Sequence, residues 1–147
     1  MIFYYRLSGI IAAIALTVNI IAMMALLALF QATLTVPGIA GIILTMGMAV
    51  DANVLIYERV REELMSGKTP AHAIKAGFER AFITIFDSNI TTVFSGIALY
   101  QFGTGPVRGF ALTLIIGIAV SMFTALYMSR AIFDLYLAKA MPKQLSI

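Results

Sequence analysis

Four long apolar runs alternate with short polar breaks along this chain: Leu7–Phe30, Ile39–Tyr57, Ala81–Phe102 and Phe110–Met128. Each run is close to the roughly 20 residues that an α-helix needs to cross a bilayer. With their polar extensions they predict helices over about residues 7–30, 37–65, 71–102 and 107–137. Thr35-Val36-Pro37-Gly38 and Gly103-Thr104-Gly105-Pro106 read as short turns. Spans one and two, and spans three and four, are therefore expected as tight antiparallel hairpins. The fold class expected is an all-α membrane protein of four helices in a single transmembrane domain.

Only Glu58–Arg80 is a sizeable polar segment. The second helix should continue through Met65, with Glu58/Arg61 and Arg59/Glu63 at pairing distance on its surface. Ser66-Gly67-Lys68-Thr69-Pro70 then reads as a stop and a restart, with Gly67 as C-cap, Thr69 as N-cap and Pro70 at the first helical position. Beyond it Ile74, Phe78, Ala81, Phe82 and Ile85 recur at helical spacing opposite Lys75, Glu79 and Arg80. That pattern predicts an interfacial amphipathic helix leading into the third span, whose plainer reading is a solvated linker helix.

Composition supports lipid as the solvent. The 147 residues are 61% hydrophobic and 12% charged, against about 45–50% and about 25% in soluble domains. The chain has no Cys, which excludes disulfides and thiolate ligands. Trp is also absent, so tyrosines such as Tyr57, Tyr100 and Tyr127 must supply any aromatic belt. Charge placement gives the orientation. Nine of the ten Lys and Arg residues fall before the first span, between spans two and three, or after span four. Arg108 alone lies on the opposite side. The positive-inside rule then makes both termini and the Glu58–Arg80 elbow cytoplasmic. The net charge of +3 follows from this distribution and does not call for nucleic acid.

The candidate chemistry is carboxylate chemistry at membrane depth. Asp51-Ala52-Asn53 lies in the second span and Asp87-Ser88-Asn89 in the third. Asp51 is seven residues inside Glu58, and Asp87 seven residues inside Arg80. Both should thus sit about 10 Å from the cytoplasmic helix ends. Charging a group there costs about 2.5–3.5 kcal/mol or more, so such residues point to proton or ion handling. The alternative for each is a structural hydrogen bond to a neighbouring helix, and Asp87 has Arg80 nearby to neutralise it. Within each pair, Asp and Asn stand about 200° apart around the helix, so they cannot share one narrow face.

Asp87, Thr91 and Ser95 form a polar stripe at i+4 spacing, with Ser88, Thr92 and Gly96 beside it. Such residues serve either as helix contacts or as a wet path for protons. In the fourth span Gly109, Thr113, Gly117, Ser121, Ala125 and Ser129 place a small residue at every fourth position. This ridge predicts close helix packing.

Several other signals fail. Gly67-Lys68-Thr69 is no phosphate loop, because Glu62 occupies the position of the first motif glycine and no strand precedes it. His72 stands without a Cys or a second His, so no metal site is expected. An intramembrane aspartyl protease would need Gly-x-Gly-Asp, and Val50 precedes Asp51. No catalytic residue and no organic cofactor are expected.

Blocks along nearly the whole chain resemble the SecD/SecF family of protein-export membrane proteins, and its SecD branch in particular. They are Gly47–Ile56, Glu58–Glu63, Ala76–Ala81, Asp87–Thr92, Phe102–Phe110 and Gly117–Ala125. The resemblance implies a half-bundle of the resistance-nodulation-division (RND) type, paired with SecF. It implies use of the proton-motive force, with protons as the coupling ion, to draw polypeptide from the SecYEG channel. Asp51 matches the family's proton-relay carboxylate; Asp87, with Asn53, Asn89, Thr91 and Thr92, would shape the polar path. The location implied is the bacterial inner membrane. The family also carries a first helix, a large extracytoplasmic domain and a second helix ahead of the matched part, so a C-terminal piece or a truncated product is expected here. Two rival readings remain: a structural membrane anchor without a relay, and a proton-coupled exporter of small hydrophobic molecules.

Overall fold

The structure, a computed structural model, describes the backbone of residues 2–140 and the side chains of residues 8–135. The side chains of Arg6 and Lys139, and all of 141–147 including Lys143, lie outside the described residues. The described residues form helices joined by short turns: α1 (Ile2–Leu29), α2 (Val36–Met65), α3 (Pro70–Phe102) and α4 (Pro106–Phe123). A π-helical turn at Thr124–Met128 joins α4 without a break to α5 (Ser129–Ala140). Among the described residues, four helical stretches are long and apolar enough to cross a membrane: Ser8–Leu29, Val36–Met65, Pro70–Phe102 and Pro106–Leu135.

Proline and capping chemistry explain where the helices start. Pro37, Pro70 and Pro106 each occupy the first turn, where a missing N–H costs nothing. Thr35, extended at φ −95°, accepts the Gly38 amide hydrogen on its hydroxyl and so caps α2. At the elbow the C-capping residue is Ser66, and Gly67 is the next residue out, at φ +85°. This left-handed position is where a side chain would be strained and glycine is not. Thr69 stands at the N-cap of α3, but its hydroxyl is engaged with His72 Nδ1 at 2.8 Å and not with a backbone amide.

The principal helix pairing joins elements distant in sequence. The α2–α4 seam is the most extensive contact, ahead of α2–α3 and α3–α4. The fourth span is the centre of the bundle, with 61% of its apolar window buried against 33%, 33% and 17% for the other three. Ascending positions of α2 and its cap meet ascending positions of α4, so the two run parallel. Gly109 faces Thr35, Gly41 faces Thr113 and Gly117 faces Thr45. A Cβ added to Gly117 would stand 2.6 Å from Thr45 Cγ2, and one on Gly109 2.9 Å from Thr35 Oγ1. The hydrogen atoms of these glycines are what let the backbones approach. Large apolar side chains such as Ile21, Ile43 and Phe94 point outward, each more than 60% exposed. A lipid solvent accommodates them where water would not.

The segment after the elbow is the first part of the 33-residue helix α3. Its apolar face, with Ala73, Ile74, Phe78 and Ala81 buried, packs onto the protein. A Cβ on Gly77 would come within 2.8 Å of the Val60 backbone on α2. Phe133 of α5 packs edge-on against Tyr57 (5.7 Å) and Phe78 (6.1 Å). The expected Arg59/Glu63 pair is replaced. Arg59 bonds Glu62 at 2.8 Å, while the buried Glu63 receives Lys68 and, at 2.6 Å, Arg80 from α3. The elbow turn supplies Lys68 and the fold-back of α3 supplies Arg80, so Glu63 is paired from outside its own helix. Lys68's hydrogen bond lowers the Glu63 pKa from its ordinary value; burial opposes this, and the charges of Arg80 and Lys68 reinforce it.

Candidate functional site

Rotation about α2 separates its two polar residues, as a two-residue step of about 200° requires. Asn53 turns inward and is 2% exposed, whereas Asp51 is exposed from the bundle. The Asn53 amide donates to Ala49 O at 2.9 Å, and its Oδ1 accepts from the Ser129 hydroxyl at 3.1 Å.

Asp51 opens into a groove of about 600 Å³ between α2 and α3. Met48, Val54 and Leu55 make its apolar wall, and Asp51 and Glu58 are its two carboxylates. From α3 come Ile85, Ser88, Asn89 and Thr92. The groove is thus a mainly apolar slot that holds an ionisable group on a helix long and apolar enough to cross a membrane. Glu58 lies about two turns nearer the helix end and faces Arg61 at 3.8 Å.

Asp87 is not among the groove residues. Ile85 and Asn89 are buried on the inner face of α3, and Asp87, about 200° from Ile85, is exposed on the flank. Thr91 and Ser95 follow it outward, each hydroxyl bonded to the carbonyl four residues earlier, at 3.4 Å and 3.1 Å. Thr92 does the same to Ser88 O at 3.3 Å while also lining the groove. The structure therefore gathers Asp51, Asn89 and Thr92 at one place, puts Asn53 in the core, and leaves Asp87 and Thr91 on another face. Gly109, Gly117 and Ser121 lie on the α4 ridge, and Ser121 is buried with its hydroxyl on Ile118 O.

Several buried polar residues went unremarked in the sequence, Asn19 and Thr45 among them. Asn19, fully buried in α1, donates to Thr124 Oγ1 at 3.0 Å. Thr45, also fully buried, bonds Gly41 O at 3.0 Å and sits opposite Gly117. The signal for Asn19 was that it is the one amide in a largely apolar run of two dozen residues. A lone polar group in hydrocarbon must find a partner on another helix.

The comparisons with known proteins agree with one another. The family model described as "Protein export membrane protein SecD/SecF, C-terminal" matches residues 1–139. Protein translocase subunit SecD of Syntrophobacter fumaroxidans is 56% identical over all 147 residues, and that of Desulfurispirillum indicum 59%. The Rhodothermus marinus subunit is 60% identical over 134 residues. This chain spans 28% of the length of the first two relatives and 22% of the third. The crystal structure of SecDF from Thermus thermophilus, titled a translocon-associated membrane protein, superposes with a TM-score of 0.91 at 43% identity. It covers 97% of this chain and is itself covered to 20%. With four membrane-length helices and these relatives, the chain is a multi-pass membrane protein. It belongs to the SecD/SecF family of protein-export membrane proteins and matches that family's C-terminal region.

Proposed function

We propose that this chain is the proton-handling membrane portion of a Sec protein-export accessory subunit. Asp51 gains and loses a proton in the α2–α3 groove, and the change in its charge biases helix packing so that polypeptide is drawn outward. The observation that supports this is Asp51 itself. It is a carboxylate in a membrane-length apolar helix, open to a groove of about 600 Å³ that Ser88, Asn89 and Thr92 line from α3, and its helix is tightly packed on the opposite face. A structural pin would be buried and bonded, as Asn53 is; Asp51 is exposed.

The partners proposed are those that the family resemblance implies. A half-bundle of SecF type would cover the polar flank of α3, including Asp87, Thr91 and Ser95, because lipid solvates these groups poorly. The SecYEG channel and its translocating polypeptide are the assembly on which the subunit acts. Protons are the coupling ion, no metal or organic cofactor is used, and no covalent catalysis is involved. The location is the bacterial inner membrane with the elbow in the cytoplasm. A cysteine at Lys68 in this otherwise cysteine-free chain should label only from the cytoplasmic side; labelling by an impermeant reagent in intact cells would reverse the topology.

The decisive variant is Asp51→Asn, which keeps shape and hydrogen bonding but cannot ionise. In the full-length subunit it should insert and assemble normally yet lose the uncoupler-sensitive part of reporter secretion. Normal secretion by a stably expressed Asp51→Asn protein would favour the anchor reading.

A further inference from the structure

Among the described residues the bundle has one π-helical turn, and amide side chains from two other helices hold its two ends. The turn runs from Thr124 to Met128 in mid-helix, and the Ser129 N–H closes it on Thr124 O, five residues back. At its first residue, Thr124 Oγ1 accepts from Asn19 of α1 at 3.0 Å and lies 3.0 Å from Val120 O. At its far end, the Ser129 hydroxyl lies 3.1 Å from Asn53 Oδ1 of α2 and 3.3 Å from Thr124 O. All four side chains are buried to 3% exposure or less. No Pro or Gly stands in Thr124–Ser129 to force the irregular winding, so its cause is to be sought in these cross-bundle bonds.

The Ser129 hydroxyl has one proton and two acceptors within reach. Given to Asn53, the proton ties the π-turn to α2; given to Thr124 O, it stays within its own helix. Asn53 lies two residues beyond Asp51 on the same helix, facing the opposite way. Any shift of α2 that follows a change at Asp51 therefore arrives at this bond. Rewinding one residue of the turn to α geometry turns α5 by about 100° and moves it about 1.5 Å along its axis. Phe133, four residues past Ser129, would then leave its place between Tyr57 and Phe78. Mid-helix π-turns are rare and recur at functional sites, which suits an element with two windings.

We infer that Asn53 and Ser129 form a latch that transmits displacement of α2 to the π-turn and so sets the orientation of α5 at the cytoplasmic elbow. Both are positioning residues, since neither exchanges the proton. The inference rests on the reading of Asp51 as the proton-exchanging group, and its test separates the two.

The test places spin labels on cysteines at Lys75 of α3 and Ala131 of α5, both exposed, and reads their distance distribution in the reconstituted export assembly containing this chain. Ser129→Ala removes one hydroxyl with little risk to folding, and it should shift that distribution; Asn53→Ala should shift it in the same direction. Asp51→Asn should also move the distribution in the parent protein, and should move it at least fivefold less once Ser129→Ala is present. An unchanged distribution in the Ser129→Ala protein would overturn the latch whatever Asp51 does. An Asp51→Asn shift of equal size with and without the hydroxyl would overturn it too, since α5 would then be reached by another route. Failure of the proton reading is separate: Asp51→Asn would secrete normally, while the shift caused by Ser129→Ala alone would still show that the bond holds the turn.

Discussion

The two sides of α2 are built on opposite principles. Toward α4 it presents Gly38, Gly41, Thr45 and Asn53, each in close contact with a residue of the ridge Gly109–Ser129. Toward α3, at the depth of Asp51, it leaves a groove of about 600 Å³ walled by Met48, Leu55, Ser88 and Thr92. A group that must change its charge needs water or a partner within reach, and therefore loose surroundings. A helix that must pass that change on needs a second face that does not yield. Having both on one helix lets Asp51 alternate between charge states while the packed face of α2 carries any resulting displacement to the centre of the bundle.

The largest effect expected comes from disturbing the tight side. Gly117→Leu puts a Cβ 2.6 Å from Thr45 Cγ2 and 2.7 Å from Thr45 Cβ, an atom that no rotation of the threonine side chain can move away. Overpacking of this kind costs about 1–3 kcal/mol and sometimes more. The folded fraction of the assembled subunit on heating in detergent should drop accordingly. Gly47 is the control, because a Cβ there meets no atom of the described residues within 4 Å. Gly47→Leu should melt with the parent protein. Equal losses from the two substitutions would remove the distinction between seam and groove.

The seam was readable in the sequence because small residues at every fourth position specify one helix face whatever that face meets. The helix starts were readable from Pro37, Pro70 and Pro106 for the same local reason. What was not readable depends on rotation between helices. Asp51 and Asp87 share a depth and an Asp-x-Asn spacing, yet one faces the groove and the other the flank of α3. Hydropathy sets how far a residue lies along a helix, and packing sets the azimuth. The π-turn is another such case, since Thr124–Ser129 contains no breaking residue and its winding is held by Asn19 and Asn53 from elsewhere. Glu63 is a third, its partners Lys68 and Arg80 supplied by the elbow turn and by the fold-back of α3 and not by its own helix surface.

A moderate effect is expected at the elbow, where the open face of α2 gives way to a packed one. Glu63 is buried between two cations, and its folded-state pKa is lowered. A carboxyl with a lowered folded pKa binds protons less readily folded than unfolded. Its contribution is therefore complete above the ordinary carboxylate range and is lost as pH falls through the lowered value. Glu63→Gln should destabilise the subunit at neutral pH, and the gap to the parent protein should close on acidification. The check is a pair of melting curves across that range. A gap that stayed constant with pH would mean that shape, and not charge, is what Glu63 supplies between α2 and α3.

The smallest effects on stability belong to the groove and the flank. Asp51 and Asp87 are both exposed from the bundle, and among the described residues neither carboxylate takes part in an ion pair. Replacing either by Asn should move the stability of the purified subunit by no more than about 0.5 kcal/mol, as for other exposed sites. Their effects on export should nevertheless differ. Asp51→Asn removes the one titratable group that the groove holds at that depth, so proton-driven secretion should be lost. Asp87→Asn alters a flank that reaches protons only through whatever covers α3, so secretion should fall less. Measuring melting and secretion for both variants separates charge exchange from scaffolding, since a scaffold residue cannot be replaced at no cost to stability and still abolish the work. Equal secretion defects would place both carboxylates in one relay, and α3 would then have to turn its flank toward the groove during the cycle.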